Sequence, residues 1–283
     1  MWKIKHSILF IVFIGFLSRC ERILDCNNCV HNTNFSVEEN FSFEIDAEGF
    51  SSFEIQGING NIEISGTSGD SLIHILGTRK VKSDSRADAE EHLDLLEVEW
   101  LQWNEKILVR TIQPDETHGR SYEVEYHIKL PYIFYSEILN INGNVSIDSM
   151  GNSTDIRLTN GNIEINNLEG AQTVDLTNGN IFIDSHCGSS DINLTNGNID
   201  GESTLSKQGV CKIYVTNGNI NLDIPQSTSA EFSAKITNGS ISTNNLTFSN
   251  FQQSKYSVSG ILGNGEGEVD LVTTNGTIRV KGI

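Results

Sequence analysis

The chain has 283 residues and carries 37 Asp and Glu against 19 Lys and Arg, a formal charge of −18. That balance argues against nucleic acid as a partner, because displacing the counterions of a polyanion needs an excess of clustered basic side chains, and acids outnumber bases here nearly two to one. With 37% hydrophobic residues, 25 Gly and only 3 Pro, the composition is neither membrane-embedded nor collagen-like, and it supplies enough apolar side chains for one or two globular units.

Lys3 and Lys5 precede an apolar run from Ile8 to Leu17, followed by Ser18, Arg19 and Cys20. This is the order of a secretory signal, and the run falls short of the roughly 20 residues a transmembrane helix needs. Residues 1–19 are therefore expected to be a signal peptide. Leu17-Ser18-Arg19-Cys20 resembles a bacterial lipobox, in which cleavage leaves a lipid-bearing N-terminal Cys. Arg19 departs from the small residue normal there, and lipidation of Cys20 is the expectation with ordinary secretion as its alternative. Residues 20–40 read as a polar tether. Cys26 and Cys29 have redox or half-zinc spacing but no second pair to match, so they read as structural or incidental. Cys187 and Cys211 are candidates for a disulfide, which an exported chain would retain.

A globular domain is expected over residues 41–283. Ser52 to Ile64 holds a first Asn59-Gly60-Asn61-Ile62-x-Ile64 copy, and Leu72 to Thr78 is rich in β-formers. Residues 83–97 are expected to form a helix, with Ser85 and Asp88 placed as a capping box and Ala89, Leu93 and Leu96 on one face. Val98–Trp103 and Ile107–Ile112 are strand candidates about Asn104-Glu105, and Tyr122–Leu130 alternates up to Pro131. Residues 71–136 thus read as an insertion that covers one end or edge of the domain. Trp100 and Trp103 are expected to pack inward or to cap that end.

From residue 137 the chain repeats itself. Asn-Gly recurs at Asn142-Gly143, Asn160-Gly161, Asn178-Gly179, Asn196-Gly197, Asn217-Gly218, Asn238-Gly239 and Asn275-Gly276, at intervals of 18, 18, 18, 21, 21 and 37 residues. The last gap is close to two periods with one Asn-Gly lost. Around each turn lie two short alternating strands, as in Ile156-x-Leu158-Thr159-Asn160-Gly161-Asn162-Ile163-x-Ile165. One repeat has four or five apolar side chains to bury and cannot close a core alone. Stacking as a β-solenoid with coils of roughly 18–21 residues gives each repeat its partner. Thr159, Thr177, Thr195, Thr216 and Thr237 would then form one row, and the Asn another in which amides hydrogen-bond from coil to coil. Asn-Gly is also the strongest hairpin signal, and an antiparallel fold about Asn160-Gly161 would oppose Leu158 to Ile163 and Arg157 to Glu164. Near-constant period favours the solenoid. The fold class is all-β with one short helix.

Asp148, Asp155, Asp175, Asp184, Asp191 and Asp200 recur at equivalent places, which marks a solvated face rather than the single constellation a catalyst requires. The seven His show no zinc-binding pair, and His186 beside Cys187 reads as a surface residue at a turn. No catalytic residue, metal or cofactor is expected.

In its order of motifs the chain resembles the bacterial candidate-adhesin family of extracytoplasmic proteins, also called toastrack domains. The carriers are Gly57 to Ile64, the acidic Ala87-Asp88-Ala89-Glu90-Glu91-His92-Leu93, Tyr122 to Pro131, Gly263 to Gly267 and Thr274 to Ile278. The resemblance implies a β-solenoid outside the cytoplasm, often anchored by lipid or a membrane segment, with no agreed active site to carry over. The functional expectation is a non-catalytic cell-envelope protein, lipid-anchored or secreted, whose rigid acidic surface binds a protein or glycan. A sensory or accessory module of an envelope-stress system is the alternative, and a glycan-cleaving β-helix enzyme stands behind both.

Overall fold

A computed structural model describes residues 35–283. The expected signal peptide over residues 1–19, and Cys20, Cys26 and Cys29, lie outside the described residues. In chain order the elements are β1 (Phe35–Asp46), β2 (Ser52–Gln56), β3 (Ile62–Thr67), β4 (Leu72–Ser83), α1 (Arg86–Leu93), β5 (Glu97–Trp103), β6 (Lys106–Ile112) and β7 (Ser121–Pro131). Then follow β8 (Tyr135–Asn142) and β9 (Val145–Met150), β10 (Thr154–Asn160) and β11 (Ile163–Glu169), β12 (Gln172–Asn178) and β13 (Ile181–Cys187), β14 (Ser190–Asn196) and β15 (Ile199–Thr204), β16 (Val210–Asn217) and β17 (Ile220–Ile224). The chain closes with β18 (Ala230–Asn244), β19 (Phe248–Gln253), β20 (Ser257–Leu262) and β21 (Gly267–Gly282).

The architecture is a β-solenoid. Each Asn-Gly joins the two strands of one coil, and the coils pair in parallel, with one register shift between Ile183 and His186 where β13 meets β15: Ile156 lies beside Ile138 on one side and Val174 on the other. Ile163 lies likewise between Val145 and Ile181. Alternation sends these side chains inward, and the row Val145, Ile163, Ile181, Ile199, Ile220 and Ile278 is essentially inaccessible. The antiparallel reading fails because Leu158 pairs with Leu176 of the next coil, not with Ile163 of its own. Hydrophobic burial is shared between neighbours, so no coil owns a core.

Two features depart from the sequence pattern. A left-handed residue breaks the second strand of successive coils at Ser149, Asn167 and Ser185, one repeat apart. Each left-handed residue turns the next one, Met150, Leu168 or His186, back inside, and at Ser185 it is a β-bulge against β15. The 37-residue gap is also not a coil that lost its turn. It contains the antiparallel β19–β20 hairpin, after which β21 returns and inserts between β16 and β18. Asn275 therefore stacks on Asn217, and Asn238 is outermost.

At the other end β2 and β3 form the first Asn-Gly coil, paired with β6 and β7 on one side and with β8 and β9 on the other. Outside them β4 crosses antiparallel to β7, and β1 covers β4. Residues 35–40 thus belong to the sheet, not to a tether. The helix spans Arg86–Leu93, shorter than 83–97, because Asp94 caps it and Glu97 already pairs with Ile112. Ser85 Oγ accepts the Asp88 N–H at 3.2 Å. Asp88 gives its carboxylate to Arg120 and Ser83, so the reciprocal half of the capping box is not made. Trp100 packs against the core, whereas Trp103 is 71% exposed on the β5–β6 turn and caps nothing.

Candidate functional site

The solenoid's distinctive surface is its Asn-Gly corner. A strand can turn there only where the corner residue tolerates a positive φ and where two backbones can approach closely. Gly197 has φ 143°, and a Cβ on it would lie 1.6 Å from the Gly179 carbonyl oxygen. The Asn before each Gly projects along the stack. Asn238 Nδ2 donates to Asn275 Oδ1, Asn275 to Asn217, Asn217 to Asn196, Asn196 to Asn178, Asn178 to Asn160, Asn160 to Asn142 and Asn142 to Asn59, all between 2.7 and 2.9 Å. Asn59 Nδ2 ends the chain on the Tyr122 carbonyl at 3.0 Å. Every amide donates in the same direction, so the bonds polarise one another.

The Gly backbones, Gly143, Gly161, Gly179, Gly197, Gly218, Gly239 and Gly276, follow the same file. A second row runs beside it, in which Asn144, Asn162, Asn180 and Asn198 each accept, through Oδ1, the backbone N–H of the next coil at 2.9 to 3.0 Å. The corner is a rigid, solvent-facing ladder of amides.

Next to it lies an open groove of about 500 Å³ lined by Gln56, Leu139, Arg157, Asp175, Thr177 and Asn193, among others. Arg157 is its cation, 2.9 Å from Asp155, 3.5 Å from Glu137 and 3.8 Å from Asp175. Lys106 bridges Glu54 at 2.7 Å and Glu137 at 3.0 Å. Burial raises the Asp155 carboxyl above the usual carboxylate range, against the pull of Arg157, and its Oδ1 has no hydrogen-bond partner. Of the recurring carboxylates, Asp184, Asp191 and Asp200 are exposed. Asp175 accepts from Asn193 and Asp200 from Asn221. Among the described residues no three His, Cys, Asp or Glu side chains converge as metal ligands.

Cys187 and Cys211 are both free, the first exposed and the second buried, so the bridge considered between them is not formed. Ser190 is the coil partner of Cys211, and Thr204 is that of Cys187. His186 is not at the surface: it is 2% exposed, because the Ser185 bulge turns it inward. Its Nε2–H donates to the Gly170 carbonyl at 3.0 Å, which leaves Nδ1 to accept from Ser203 Oγ at 3.0 Å. Burial lowers its pKa below the ordinary histidine value. Beside it runs an interior polar row that sequence reasoning missed: Ser136, Thr154, Gln172 and Ser190. The one available signal was the polar residue repeated at the start of each coil's first strand.

The model of the family described as Toastrack DUF4097 matches residues 44–281. No curated protein matches the chain. Among solved structures it is similar to a candidate cell-adhesion protein from Clostridium sporogenes, at 13% identity and TM-score 0.39, over 87% of this chain and 100% of the other. A candidate adhesin from Bacteroides fragilis aligns at 13% identity and TM-score 0.38, over 87% of this chain and 97% of its own. With the family model covering nearly the whole solenoid and both its ends, the chain belongs to the Toastrack DUF4097 family.

Proposed function

We propose that this protein is a non-catalytic component of the cell envelope whose solenoid presents a preformed acidic surface to a protein or glycan partner. The observation that carries the reading is the Asn ladder, an unbroken run of side-chain hydrogen bonds from Asn238 to Asn59. Such a ladder fixes the exposed Thr, Asn and Asp side chains beside it before any partner arrives, and binding then loses little ordering entropy. The reading places residues 1–19 as a cleaved signal, Cys20 as a lipid tether and the solenoid outside the cytoplasm.

The test is crosslinking capture from envelope extract with the chain and with an Arg157→Glu, Asn193→Lys variant. A partner enriched by the parent and lost from the variant supports display through this face. Equal capture by both, or release of new reducing ends from envelope polysaccharides by the parent alone, contradicts it. For the tether, Cys20→Ala is expected to move the protein from the membrane fraction to the soluble one.

A further inference from the structure

The two ends of the solenoid are finished differently. At the first end the free edges are β1 and β5, and both carry charge: Glu38, Glu39, Glu44 and Asp46 on the one, Glu97 and Glu99 on the other. Charged side chains on a free edge are a common guard against pairing with another chain. At the last end the guard is missing. From Ile236 to Ser254 there is no charged residue, in a chain of net charge −18.

That end is also a step. The first half of the outermost coil, Ala230–Lys235, is continued by β20 and then by β19. Its second half, Asn238–Asn244, pairs with β21 on the inner side and with nothing on the outer side among the described residues. In the inner coils the Gly N–H donates outward, as Gly161 does to Asn178 at 3.0 Å and Gly218 to Asn275 at 2.9 Å. The matching N–H groups of Gly239 and Ile241 face out of the stack without an acceptor, and Asn238 Oδ1 is the open acceptor end of the amide ladder. Ile241 is half-buried where its counterparts Ile220 and Ile278 are inaccessible. Across the step, Phe248 packs on Phe232 at 5.2 Å, and Phe251 leans on Phe248 at 5.4 Å with 47% of its surface exposed.

We propose that two copies of this chain join tail to tail through this step. β19 runs in the same sense as Ala230–Lys235. A two-fold axis at this end then sets β19 of one copy along Asn238–Asn244 of the other, twice over. The overhang of each copy fills the step of the other. Ile241 and Phe251 become covered, the outward N–H groups gain acceptors, and the amides of Asn250, Gln252 and Gln253 come within range of the Asn238 end of the ladder. A second copy fits better than a charged partner, because this uncharged end is where two strongly acidic molecules approach with least repulsion.

Sedimentation equilibrium of the purified chain tests the pairing, together with hydrogen exchange at Gly239 and Ile241. The expected result is a dimer whose population rises with concentration and whose Gly239 and Ile241 amides become protected as it forms. Phe251→Lys and Ser242→Lys, both outside the inner coils, are each expected to weaken association at least tenfold while leaving the circular dichroism spectrum unchanged. A monomer at all concentrations up to about 100 µM, or a dimer indifferent to both substitutions, overturns the proposal.

Discussion

The corner glycines are where a single atom decides the fold. A methyl group on Gly197 meets a carbonyl oxygen that belongs to the backbone of the previous coil and cannot swing aside. Gly197→Ala is therefore expected to destabilise by about 3 kcal/mol or more, from backbone strain and overpacking together. Chemical denaturation of the variant checks it, and a change under about 0.5 kcal/mol would mean that the coils do not touch there. His186 makes a different kind of prediction. Its pKa is lower folded than unfolded, so as pH falls through about 6.5 the unfolded chain takes up the proton first. The stability it contributes is present above that pH and declines below it. His186→Leu, which copies Leu168 of the preceding coil, should flatten the fall in melting temperature between about pH 7 and pH 5. An unchanged acid sensitivity would place the titrating group elsewhere.

At the scale of elements, the short helix is held by one carboxylate. Asp88 accepts two hydrogen bonds from Arg120 at 2.7 Å each and one from Ser83, which hold it well below the usual carboxylate range. A lowered pKa stabilises the fold above the unfolded value and is lost in acid as the carboxyl protonates. Asp88→Asn is expected to lower the melting temperature at neutral pH and to match the parent in strong acid. A deficit that persists in acid would show that lost packing, not lost charge, is responsible. The same region shows how far sequence reaches. The helix, the β5–β6 turn at Asn104 and the alternating β7 were legible because each is specified locally, by a cap, a turn residue or a period of two. The inward turn of His186 was not legible, since it depends on a bulge whose Ser and Asn residues look like any other surface polar pair. The exposure of Trp103 was missed for a related reason: alternation tells which residues share a face, not which face is covered.

For the whole molecule, period and composition together were enough to favour stacking over a meander, because near-identical turns at fixed spacing have a use only when they lie on one another. What they could not reveal was spatial order. The last coil in sequence is not the last in space, and the outermost rung is Asn238–Asn244, left open by the detour of β19 and β20. That detour gives one end of the solenoid an uncharged step, while β1, β4 and α1, all bearing charged side chains, close the other. Display along the side and pairing at the tail are compatible, since the groove around Arg157 lies several coils away from the step.

Coil-on-coil register underlies all of this, and paired cysteines measure it directly. In a chain whose native cysteines are replaced by Ser, Arg157→Cys with Asp175→Cys joins neighbours in adjacent coils, about 4.8 Å apart and so within disulfide reach. Arg157→Cys with Glu164→Cys joins the two residues that would face each other in a hairpin about Asn160-Gly161. Under mild oxidation the first pair is expected to crosslink nearly completely and the second to stay reduced. Crosslinking of the second pair, with the first left reduced, would contradict the stacked solenoid.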